Sequence, residues 1–129
     1  METLTDLQKG MAATLIDRTR ERLGGPVTDL LLEESELAKT VGQNSWKRSN
    51  VDDLNILTAF CDRKGYPPVS LLVVIPGLNK PEKSIFIHAF KATLPAAEAT
   101  KRWKAALEEI QTTPNDVWDA FRADVVDEQ

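Results

Sequence analysis

The 129-residue chain has one cysteine, one histidine and one tyrosine, and these scarcities limit its chemistry. Cys61 alone permits no intramolecular disulfide. A zinc site would have to combine His88 with carboxylates, so no metal centre is expected. No apolar run nears the ~20 residues that span a bilayer. The polar segment 1–10 lacks the apolar core of a secretory signal. A cytoplasmic protein without a membrane partner is expected. Glycine-rich phosphate loops are missing too: Gly24-Gly25 runs into Pro26 rather than a nucleotide-binding pattern. No serine sits in a nucleophile elbow. No cofactor is expected.

The residues present describe one globular domain. Hydrophobic residues make up 42% of the chain and charged residues 28%, which suits a solvated surface around one core. The net charge of -4 gives no bulk attraction for phosphate backbones, so nucleic-acid binding requires a local basic patch. Charge is unevenly spread. Residues 37–51 contain no acid but include Lys39, Lys47 and Arg48, whereas residues 116–129 carry five acids and one base.

Apolar spacing predicts most of the helices. Leu4, Leu7, Met11 and Leu15 predict a helix over 5–23, opened by Thr5 or Asp6 and stopped by Gly24, Gly25 and Pro26. Arg18, Arg20 and Arg22 crowd its last turns, where cations suit the helix dipole. Residues 27–32 read as a short strand or a helix start, and residues 35–41 as a short helix ended by Gly42. A polar loop over 43–50 contains Trp46. Ser49 then serves as the expected cap of a helix whose buried stripe is Leu54, Leu57, Phe60 and Cys61. Pro67-Pro68 bars continuation of that helix. Residues 69–75 (VSLLVVI) predict a buried strand, and residues 84–90 (SIFIHAF) a second one. Together they predict a hairpin with a lysine-bearing loop. Pro95 and Pro114 open two further helices, faced by Trp103, Leu107 and Ile110 and by Trp118, Phe121 and Val125.

The expected fold is α+β and winged-helix-like, with a β-hairpin packed against about five helices. It is one domain comprising an N-terminal helix (1–26), a winged-helix-like core (27–94) and C-terminal helices (95–129).

Three sets of residues bear on function. Trp46, Lys47 and Arg48 place an aromatic beside two cations, a combination that stacks on a base and pairs with phosphate. Equally, Trp46 can tuck onto the core and leave the cations solvated. Lys80 and Lys83 fall in the hairpin loop, as a wing touching a DNA backbone or as a solvated turn. His88 in an apolar stretch and Cys61 on a buried stripe are the only candidates for an enzyme. Each has an ordinary reading as a packed residue.

A wider pattern runs over residues 31–118. It comprises Glu36-Leu37-Ala38-Lys39 with Gly42, then Leu54, Ile56 and Cys61, then Gly65-Tyr66-Pro67-Pro68 with Leu72-Val73-Val74. Asn79-Lys80-Pro81, Phe86, Trp103 and Trp118 complete it. This order resembles a small bacterial and phage-borne domain found in largely uncharacterised proteins. The Leu-Ala start before a proline-bearing strand is also distantly similar to the winged-helix half of alkyltransferase-like DNA proteins. The resemblance implies a fold more than an activity, because the matching residues are packing residues. Glu82-Lys83-Ser84 stands where the group tends to have glycines, and no Pro-Cys-His alkyl-acceptor motif exists, so alkyl transfer is not implied.

Three functions stay open. One is a non-enzymatic nucleic-acid-binding module using Trp46, Lys47, Arg48, Lys80 and Lys83. Another is a protein-interaction factor, such as a phage or mobile-element inhibitor or adaptor, using acidic surfaces around Glu33-Glu34-Glu36 and the acidic tail. The third is an enzyme using His88 or Cys61.

Overall fold

The first N–H groups of a helix lack intrahelical partners, and a capping side chain can supply one. In the computed structural model, which describes residues 4–127 and the side chains through Val125, α1 spans Asp6–Glu21. A reciprocal capping box starts it: the Gln8 N–H donates to Thr5 Oγ1 at 3.1 Å, and the Thr5 N–H donates to Gln8 Oε1 at 3.0 Å. A 3₁₀ turn over Val27–Leu30 leads to β1 (Leu32–Glu33) and α2 (Glu34–Thr40). The long helix α3 covers Arg48–Lys64 and ends at Gly65, whose φ of 77° suits a residue without Cβ.

The segment after Pro67-Pro68 departs from the expected seven-residue strand. Its first part coils into a 3₁₀ turn over Val69–Leu72, with the Val69 and Leu71 N–H groups donating to the carbonyls of Pro67 and Pro68. Only Val73–Val74 extends, as β2. It pairs in parallel with β1, with Leu32 opposite Val73 and Glu33 opposite Val74. Pro76 then removes a backbone donor, so the strand goes no further.

The predicted hairpin does not form, because residues expected as its second strand are helical: α4 spans Lys83–Phe90. The reason lies in spacing. Ile85, Phe86, Ala89 and Phe90 fall on one helical stripe packed on the core, while His88 faces solvent. Packing against α3 overrides the β propensity of Ile, Phe and Ile. Two C-terminal helices follow, α5 (Ala96–Gln111) and α6 (Asn115–Arg122), and the chain continues into a π-helical turn over Ala123–Asp127. The observed class is therefore mostly helical with a small two-stranded parallel sheet.

One cluster of buried side chains joins Leu4 to Val125. At its centre lie residues 69–74, every one buried, with α1, α3 and α5 around them. The Trp103 indole N–H donates to the Leu71 carbonyl at 2.8 Å, a partner that the two-residue sheet leaves free. The expectation that this stretch is interior and shielded by helices holds, but the expected sheet ribbon does not: residues 69–72 are helical and only Val73–Val74 is strand. Among the described residues, no helix is long and apolar enough to cross a membrane.

Candidate functional site: a basic end and an adjoining cleft

Helices α3 and α4 run side by side in the same direction. Asn55 Nδ2 donates to Ser84 Oγ at 3.4 Å, and Lys91 Nζ meets an Asp62 carboxylate oxygen at 2.9 Å. Both pairs are separated by 29 residues, so the helices keep one register. Their positive N-terminal ends consequently face one end of the molecule. The start of α4 lies level with the second turn of α3, roughly 9 Å along the axis from Arg48.

A hydrogen-bond chain places the start of α3. The Lys47 N–H donates to Asn50 Oδ1 at 2.8 Å, and Asn50 Nδ2 donates to Asp53 Oδ2 at 3.3 Å. Gln8 Nε2, from the capping box of α1, donates to the other Asp53 oxygen at 3.0 Å. Asn50, rather than the expected Ser49, thus satisfies the helix start. Asp53 faces inward with both oxygens bonded, so Asp52 is the exposed carboxylate of this turn.

The candidate residues separate by environment. Lys47 and Arg48 are exposed at the start of α3, Lys83 is the first residue of α4, and Lys80 sits in the loop before it. None of these four cations forms an ion pair with a described residue. The Ile75 N–H donates to the Lys80 carbonyl at 2.9 Å, which closes that loop and fixes its base. Trp46, by contrast, is half-buried against the core, and its indole N–H is buried without a partner.

His88 is exposed on α4, with Nδ1 2.9 Å from the Ser84 carbonyl. Cys61 is 1% exposed, and burial pushes its thiol up to about 12, so the thiolate is not present at neutral pH. Among the described residues, no group of three or more His, Cys, Asp or Glu is placed to hold a metal ion.

Two features lay outside the reach of sequence reasoning. The first is a buried acid pair. Glu34, at the start of α2, is 6% exposed and lies against Glu82, the residue before α4, and its Oε2 is buried without a hydrogen-bond partner. Burial, then the contact with Glu82, raises the Glu34 carboxyl to about 8. Glu34 therefore holds its proton at neutral pH. Glu34 is one of three acids that the sequence reading grouped as surface. The second is a cleft of about 410 Å³ between the 75–83 loop, α4 and the start of α5. Its floor includes Ile75, Phe86, Ile87 and Leu94, and its rim carries Lys80 and Lys83.

No protein family, curated protein or solved structure matches the chain.

Proposed function

We propose that the chain is a non-enzymatic binding module that grips the phosphate backbone of a nucleic acid through Lys47, Arg48, Lys80 and Lys83. The observation that supports this reading is four exposed cations without ion-pair partners among the described residues: two at the start of α3, one at the start of the parallel α4 and one in the loop before it. Lysine and arginine beside positive helix ends recognise phosphate without reading bases. The net charge of -4 confines attraction to this end, so binding is weak and salt-sensitive. The exposed carboxylate of Asp52 limits it further. Trp46 contributes packing to this reading rather than base stacking.

The winged-helix analogy for residues 27–94 belongs with this proposal. In it, α2 and α3 act as the helix pair, and the 75–82 loop stands in for the wing. Retention on heparin tests the reading. The chain should bind at about 50 mM salt and elute as salt screens the contacts. Flow-through at that salt would remove the proposal.

A second reading, a protein-interaction factor, is favoured by the exposed Leu78 and Ile56, which are 58% and 44% accessible. Leu78 stands in the 75–80 loop and Ile56 on the outer face of α3. The acidic residues Glu33 and Glu36 are exposed on the same molecule and suit a basic partner.

A further inference from the structure

The cleft beside the basic end combines an apolar floor, cationic rim groups and unfilled backbone donors. Phe86 stacks on Phe90 with ring centroids 5.9 Å apart and meets Trp103 edge-on at 6.3 Å, so the wall is held by aromatic packing. Ile87, Leu94, Ala96 and Ala99 extend the apolar lining. Two helices begin at this cleft, and no side chain caps either: α4 starts after Glu82 and α5 after Pro95. Their first N–H groups lack intrahelical partners and carry the positive ends of both dipoles.

We infer that this cleft is a binding site for a small amphipathic carboxylate, its apolar chain against Phe86, Ile87 and Leu94 and its carboxylate at Lys80 and Lys83. Three considerations select that chemistry. The volume of about 410 Å³ lies at the lower end of ligand pockets, which suits a short chain rather than a drug-sized molecule. Lys80 and Lys83 have no ion-pair partners, so an incoming anion displaces none. The one acid in the lining, Glu82, stands against two lysines and two helix ends. Thr93 and Thr100 add hydroxyl donors at the edge.

This inference does not rest on the nucleic-acid reading, because Lys47 and Arg48 line no part of the cleft. It is tested with the full chain and three probes of equal length: decanoate, decanol and decyltrimethylammonium, each below its micelle concentration. Amide chemical shifts report the site. Decanoate should shift residues 80–87 and 92–100 saturably. Decanol should bind at least tenfold more weakly, and the cationic probe should not bind there. Lys80→Ala with Lys83→Ala should weaken decanoate at least tenfold, and Lys47→Glu with Arg48→Glu should leave its affinity within twofold. Thr100→Phe, a change at an exposed position, should block the cleft and abolish the shifts without unfolding the chain. Absence of saturable shifts, equal binding of decanol, or shifts that survive both cleft variants would overturn the inference.

Discussion

The seam between α1 and α6 and the shared start of α3 and α4 use the same residue types differently. At the seam, each arginine has a partner. Arg122 Nε and Nη2 donate to the two oxygens of Asp17 at 2.7 and 3.1 Å, and Arg20 meets Asp119 at 2.9 Å. The Tyr66 hydroxyl donates to Asp124 while its ring stacks on Phe121 at 4.6 Å. Burial and that bond push the Tyr66 phenol up to about 12. At the α3–α4 end, the four cations have no ion-pair partner among the described residues, and the bonded groups are Asn50 and Asp53. Paired charges locate helices, whereas unpaired ones held on a fixed backbone remain open to a ligand.

The sharpest way to break the seam is to remove what lies under it. Trp118 is fully buried, and Trp118→Ala should destabilise the chain by about 3–5 kcal/mol, read by urea unfolding. At the other end, the test is pH. The folded-state value of Glu34, about 8, lies above its ordinary 4.5, so the folded protein keeps a proton that the unfolded chain releases. That contribution is complete below about pH 4.5 and is lost as pH rises through about 8. Wild-type stability should therefore decline across this window, and Glu34→Gln should flatten the decline. An unchanged pH profile in the variant would show that Glu34 holds no such proton. The smallest contrast concerns the cations themselves. Arg122→Ala should cost up to about 1 kcal/mol, because its side chain is 41% exposed and solvent screens the pair. Lys83→Ala should stay within about 0.5 kcal/mol. Equal losses from the two would erase the distinction between the regions.

Helices with a long stripe or a strong cap were legible in advance. Thr5, one of the two expected caps, starts α1, and Trp103, Leu107 and Ile110 define the inner face of α5. Residues 84–90 were misread because a seven-residue apolar run fits either period, and only contact with α3 decides it. The β1–β2 pairing joins two-residue strands from distant parts of the chain, too short to leave a periodic signal. Lys47, Arg48, Lys80 and Lys83 are exposed, as expected of solvated cations, although Lys83 begins a helix instead of occupying a hairpin loop. The inward turn of Asp53 and the meeting of Glu34 with Glu82 depend on tertiary placement, which spacing does not encode. The acidic tail was only partly a free surface, since Asp119 and Asp124 are bonded; Glu128 and Gln129 lie outside the described residues.

The salt dependence of binding to a labelled DNA duplex tests the central claim most directly. Four phosphate contacts predict that log K falls against log salt with a slope of about -3.6, and Lys47→Glu with Arg48→Glu should reduce its magnitude by at least about 1.8. A variant with the wild-type slope, or a wild type with no measurable affinity at about 50 mM salt, would contradict the account.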